Sequence, residues 1–202
     1  MKIRTAAVVV FALGVMAAAA ATLHAAATAS RQQADSLARK ITQITQRGTQ
    51  GPAAAARRTE VSEDEVNSWF VFRGRPYLPE GVTNPNLTML GAGAMRGAVT
   101  VDLEALGKQR SKGGALDLWS YLGGKVPVAV TGRLRANNGR GQFEMTSAEM
   151  AGVPVPKALV QQLLSIYTSS SDDKPLSMDA PFELPAKIRS IDVGQGQLVV
   201  VQ

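Results

Sequence analysis

In this 202-residue chain the side chains able to carry out chemistry are few, and most have a structural use close at hand. The acidic clusters are Glu63-Asp64-Glu65 and Asp172-Asp173. Paired carboxylates can hydrolyse glycosidic bonds when they face each other across a cleft with separated pKa values. Here Glu65 stands three residues after Ser62, the spacing of a capping box, and Glu63 and Asp64 fall at the positive end of the helix that the box opens. Asp172-Asp173 closes the polar run Ser169–Asp173, which reads as a solvated loop. Gly91-Ala92-Gly93-Ala94-Met95-Arg96-Gly97 has the look of a phosphate-binding loop. Its glycine spacing is one residue too long, and a strand rather than a helix is expected after it, so a turn or bulge is the better reading. Lys125 and Tyr167 have no evident partner and read as rim residues. Asn86-Leu87-Thr88 matches a glycosylation pattern that chance supplies often. A carboxylate enzyme would need two or more of Asp102, Asp117, Glu144, Glu149 and Asp179 to converge in a pocket, which linear sequence does not show.

The absences narrow the chemistry further. The chain has no Cys, and its single His is His24. Without Cys there is no disulfide framework and no thiol nucleophile. If His24 is removed with the N-terminal segment, triads, imidazole acid–base catalysis and nitrogen or sulfur zinc sites go with it. The expectation is a protein that is not an enzyme and has no cofactor or metal.

Residues 1–29 read as a secretory signal. Lys2 and Arg4 form a basic start, Ala6–Ala21 is apolar and uncharged, and Ala25-Ala26-Ala27 and Ala27-Thr28-Ala29 both fit a small-residue cleavage site. The alternative is an uncleaved anchor, for which the run is slightly under the ~20 residues usually needed. Without Lys2 and Arg4, the 22 basic residues become 20 against 16 acidic ones, a charge of +4. That excess is small and scattered, with no clustered basic face for nucleic acid. The expected location is outside the cytoplasm, periplasmic or secreted, or held at the inner membrane if the anchor is kept.

Residues 30–59 are Gln-rich and sparsely apolar. Leu37, Ile41 and Ile44 predict a short helix over 33–46, and the rest reads as a flexible tether. A single domain is expected over 60–202. It opens with a helix carrying Val66, Trp69 and Phe70, stopped at Gly74. Strands follow at 82–90, 95–103, 126–135 and 142–150, with a hairpin at Asn137-Asn138-Gly139. Leu116–Leu122 reads as a short helix or turn. Lys157–Thr168 predicts an amphipathic helix carrying Leu159, Val160, Leu163, Leu164, Ile166 and Tyr167. A Gly194-Gln195-Gly196 turn leads into Leu198–Val201, a strand with the look of burial on both faces. The class is α+β: a curved antiparallel meander sheet wrapped around two amphipathic helices. Frequent Gly in and beside strands suits a curved or bulged sheet.

Val66, Trp69 and Phe70 from the first helix, with Leu159, Leu163, Ile166 and Tyr167 from the second, are the candidate lining of an apolar cavity. The same residues would serve as plain core between helices and sheet, which is the simpler reading. Val61–Phe70 resembles the opening helix of small bacterial envelope proteins of the YceB-like family, and Pro127–Gly132 and Gly152–Lys157 continue the likeness. Phe182-Glu183-Leu184-Pro185, with Ile188, Ile191 and a Gly turn into an apolar strand, is similar to the close of the LmeA-like family. The resemblance covers about residues 60–202 in short motifs and implies a tubular lipid-binding architecture with an apolar groove. This chain lacks the lipidated Cys of the YceB-like pattern. The expected partner is therefore a lipid or other apolar small molecule, with membrane proximity and no nucleic acid. The rival is an interaction module with a filled core that binds a protein.

A reporter enzyme active only outside the cytoplasm, fused after residue 60, is expected to become active. The mass of the mature chain then separates cleavage at Ala27 or Ala29 from retention of an anchor; an inactive fusion would end the export reading.

Overall fold

The computed structural model describes residues 29–50, 55–102, 124–161 and 180–202. Within them the fold is α+β, with antiparallel sheets. Expectations for Leu116–Leu122, for Leu163, Ile166 and Tyr167, and for Asp172-Asp173 lie outside the described residues.

The largest departure from expectation is at the start. The short helix expected over 33–46 is present and longer, as α1 (Arg31–Thr49), but it packs into the domain where a tether was expected. Ala34 and Leu37 are buried, and Ala38, Ile41 and Ile44 pack against the main core. Three large apolar residues are enough because they fall on one stripe, at intervals of four and three. The small Ala34 lets α1 approach α2, Glu63–Phe72. There the buried Ser68 hydroxyl accepts from the Ser30 amide at 3.0 Å and donates to Gln33 at 3.0 Å. At the other end of α1, a Cβ on Gly48 would stand 2.5 Å from the Ala186 backbone, so only glycine allows this approach to the 185–188 loop.

The capping box at Ser62 is present: the Ser62 hydroxyl accepts from the Glu65 amide at 3.1 Å, and the Ser62 amide donates to the Glu65 carboxylate at 2.9 Å. Trp69, Phe70 and Val66 are buried, while Val71 and Phe72 at the end of α2, and Tyr77 in the short 3-10 turn that follows it, are exposed.

The strands form two sheets, where one meander was expected. β1 (Arg58–Ser62) pairs antiparallel with β9 (Gln197–Val201), which pairs with β8 (Ser190–Val193). This three-stranded sheet joins residues far apart in the chain, which no local pattern announces. Within it Val200 is buried but Leu198, Val199 and Val201 are only half-buried, so β9 is not enclosed on both faces. The second sheet runs β2 (Val82–Gly91), β3 (Ala94–Asp102), β4 (Lys125–Asn137), β5 (Arg140–Met150) and β6 (Val153–Pro154), each antiparallel to the next. β7 (Phe182–Glu183) adds to β5.

The glycine-rich segment at 91–97 is the β2–β3 hairpin, turned at Ala92 and Gly93 with φ of 51° and 80°. Its tip also joins the sheets, since the Gly93 amide donates to the Val193 carbonyl at 3.0 Å. The β4–β5 hairpin turns at Asn138-Gly139 as expected, with both residues at positive φ. A register shift between Thr131 and Gly132 marks a bulge in this pair. Gly132 itself leaves room for a ring: a Cβ there would lie 2.2 Å from Phe143.

Apolar side chains from both sheets and both helices share one large core, and Val82, Val99, Val101, Val128 and Met150 form a smaller one. If α1 were a tether, Leu37→Ala would change stability by no more than about 0.5 kcal/mol, as surface changes do. With Leu37 in the core, the expected loss is about 2–4 kcal/mol in denaturant unfolding.

Candidate functional site

Helix α1 lies over an apolar cavity of about 140 Å³. Leu37, Ile41 and Ile44 of α1 form one wall, and Val66 and Phe70 of α2 form another. Leu87, Met95 and Leu134 reach it from β2, β3 and β4, and Ile191, Leu198 and Val200 from the smaller sheet. Pro185, Ala186 and Ile188 close it near the end of α1. Thr45 is the one lining residue with a polar side chain, and its hydroxyl donates to the Ile41 carbonyl at 2.9 Å. With its hydrogen used there, the Thr45 hydroxyl can only accept, and the rest of the lining's side chains are apolar, so the cavity favours apolar matter.

Of the seven candidate residues, Val66 and Phe70 line this cavity. Trp69 is buried but is not part of the lining. Its ring meets Phe70 edge-on at 5.7 Å and stacks at a tilt on Tyr77 at 5.3 Å. Leu159 is half-buried, belongs to the helical stretch 157–161, and does not line the cavity. Leu163, Ile166 and Tyr167 lie outside the described residues. Among the described residues, α1 supplies a wall that was not among the expected ones. Its signal was present in the spacing of Leu37, Ile41 and Ile44, but a Gln-rich context hid it.

The acidic cluster at the start of α2 holds this arrangement together. The Glu63 carboxylate accepts from the Met89 amide at 2.6 Å and so ties α2 to β2. Glu65 is buried and accepts from Lys40 at 2.7 Å on both oxygens, from the Ser36 hydroxyl at 2.6 Å, and from the Ser62 amide. Burial pushes its pKa up, but the hydrogen bonds from Lys40, Ser36 and Ser62 and the charge of Lys40 outweigh that and hold it below the ordinary Glu range. Arg73 and Asp35 pair across the same two helices at the surface. Among the described residues no group of three or more His, Cys, Asp or Glu is placed to hold a metal ion. None of the described helices is long and apolar enough to cross a membrane.

Compared with known protein families, curated proteins and solved structures, the chain shows no match to any. The likeness to the YceB-like and LmeA-like families thus rests on its short motifs alone.

Because the folded-state pKa of Glu65 is depressed, its stabilising contribution is present above the unfolded value of about 4.3 and is lost as pH falls through the folded value. Glu65→Gln is expected to cost about 1–3 kcal/mol at pH 7, since it leaves Lys40 half-buried without its counter-charge. The gap between variant and parent should narrow below about pH 4.3 in urea titrations. A gap independent of pH would show that the carboxylate's charge contributes nothing.

Proposed function

We propose that this chain is an exported, non-enzymatic protein of the bacterial envelope that binds or carries a lipid or other apolar molecule in the cavity beneath α1. The single observation that carries this reading is the cavity itself, walled by both helices and both sheets and lined almost wholly by apolar side chains. Sites for small molecules are mostly apolar clefts, which agrees with it. The resemblance to tubular lipid-binding proteins adds to it, and we infer that the six-stranded sheet curves about the helices in the same manner. The N-terminal apolar run supports export, with the domain either free in the periplasm or secreted, or held at the inner membrane by an uncleaved anchor.

The volume sets what the closed form can take. A ~150 Å³ apolar cavity admits benzene, whereas typical ligand sites span ~300–1,000 Å³. A cavity of about 140 Å³ therefore accepts one end of an acyl chain or a small ring. A longer chain requires α1 to lift, and α1 buries only Ala34 and Leu37 fully.

A second reading, an interaction module that binds a protein partner, draws on the exposed apolar side chains at the end of α2 and in the 3-10 turn after it. Val71 is 61% exposed and Tyr77 is 47% exposed, and Phe72 lies beneath the Arg31 guanidinium 5.0 Å away.

Methyl spectra recorded while the folded chain is titrated with benzene decide between them. Shifts confined to the lining methyls, those of Leu37, Ile41, Ile44, Leu134, Ile188 and Ile191 among them, and abolished in Ile41→Trp, are the expected result. Native mass spectrometry of protein recovered from its own envelope is expected to show a bound apolar molecule. Unshifted methyls together with ligand-free protein would overturn the reading.

A further inference from the structure

Beside the apolar cavity lies an open recess of about 710 Å³ whose walls carry four cations, Arg47, Arg57, Lys187 and Arg189. No Asp or Glu lines it among the described residues. The two spaces share a wall. Ile188 lines both, and in the tripeptide Lys187-Ile188-Arg189 the middle side chain is buried while its neighbours are exposed on the recess side. Ala186 and Lys187, at this seam, hold φ of 54° and 56°. Two successive non-glycine residues in the left-handed region are costly, and such strain gathers at ligand sites.

Two of the cations have local work. Lys187 donates to the Gln50 carbonyl at the end of α1 at 2.6 Å, where the helix dipole is negative, and Arg47 donates to the Thr59 hydroxyl at 3.1 Å. The guanidinium groups of Arg57 and Arg189 take part in no ion pair among the described residues. Both residues anchor β-type backbone contacts: the Arg57 amide donates to Gln202 at 3.0 Å and the Arg189 amide to Val201 at 2.7 Å, so their side chains are carried on fixed backbone. Two forked donors of this kind, held without a carboxylate, suit a phosphate or carboxylate.

We propose that this recess binds the anionic headgroup of an amphiphile whose apolar end enters the cavity. The proposal rests on the apolar-ligand reading of that cavity and adds the chemistry of the other end of the ligand. A ligand of one charge and one tail would lie across Ile188, with its head among Arg57 and Arg189.

Calorimetric titration of the full chain, with every ligand below its micelle-forming concentration, tests it with four probes: hexyl phosphate, 1-hexanol, hexyltrimethylammonium and inorganic phosphate. Hexyl phosphate is expected to bind at least tenfold more tightly than 1-hexanol, with the cationic probe weakest and inorganic phosphate weaker than hexyl phosphate. The advantage should shrink as salt rises. In Arg57→Gln/Arg189→Gln, hexyl phosphate is expected to fall to the level of 1-hexanol while 1-hexanol is unchanged. Arg133→Gln, exposed on β4 and outside the recess, should leave both as they are. Equal binding of hexyl phosphate and 1-hexanol would overturn the headgroup proposal and leave the cavity reading standing. Inorganic phosphate matching hexyl phosphate would also overturn it, because the recess would then be a free-anion site. If neither hexyl probe binds, both readings fail.

Discussion

The buried carboxylate of Glu65 is the point on which the arrangement of helices turns. A carboxylate out of water is costly unless donors surround it. Here the donors come from two directions: the Ser62 amide from its own cap, and Ser36 and Lys40 from α1. Only with α1 docked is the set complete. The group that starts α2 therefore also specifies where α1 lies, and α1 then covers the apolar side chains of both sheets. Undock α1 and its Leu37, Ile41 and Ile44 lose their partners, while the cavity they wall becomes an open face.

The neighbouring Glu63 fixes the other side of the same helix. By accepting from the Met89 amide it holds α2 against β2, and the Glu63 amide in turn donates to the Gly196 carbonyl at 2.9 Å. The Gly196 amide donates to the Met89 carbonyl as well, so the tip of the β8–β9 hairpin, the start of α2 and the last part of β2 meet at one place. Two sheets that share no continuous ladder are thus joined through a helix start and two hairpin tips. An acidic triplet that looks like a catalytic cluster in the sequence is divided between two such joints.

What the sequence made legible was local. The capping box, the Asn138-Gly139 hairpin, the alternation of Val128, Val130, Gly132 and Leu134, and the glycine turn at 91–93 each depend on residues a few positions apart. What it hid was distant. The pairing of β1 with β9 joins Arg58 to Val201, and nothing in either strand specifies the other. Glu65 satisfied the cap on paper, so its second role toward Lys40 was not visible. α1 was underread for a related reason: its polar residues suggested a solvated segment, but Ser36, Lys40 and Gln33 are engaged with α2. Of the expected cavity residues, Val66 and Phe70 line the space beneath α1, while Trp69 turns toward Tyr77. The ring over Gly132 could not have been foreseen, since it depends on which residue of β5 stands opposite after a bulge.

The sizes of the two spaces bear on what a ligand must be. A cavity of about 140 Å³ holds a fragment on the scale of benzene, about six carbons. At about 0.8 kcal/mol per buried methylene, such a fragment gains about 5 kcal/mol, an affinity near the millimolar range. The lining can add no more than one side-chain acceptor, the Thr45 hydroxyl, so the closed cavity alone neither binds tightly nor discriminates among apolar groups of one size. Useful affinity must come from lifting α1 to bury more chain, or from contacts outside the mouth. Lifting α1 sacrifices the donors around Glu65, whereas contacts outside leave the fold intact. Ile188 is a wall shared with a polar space that carries four cations and, among the described residues, no Asp or Glu, whereas the smaller polar space behind Leu134 and Ile191 includes Asp192. A ligand with a short apolar end and an anionic head satisfies both spaces without disturbing the carboxylate that holds the helices in place.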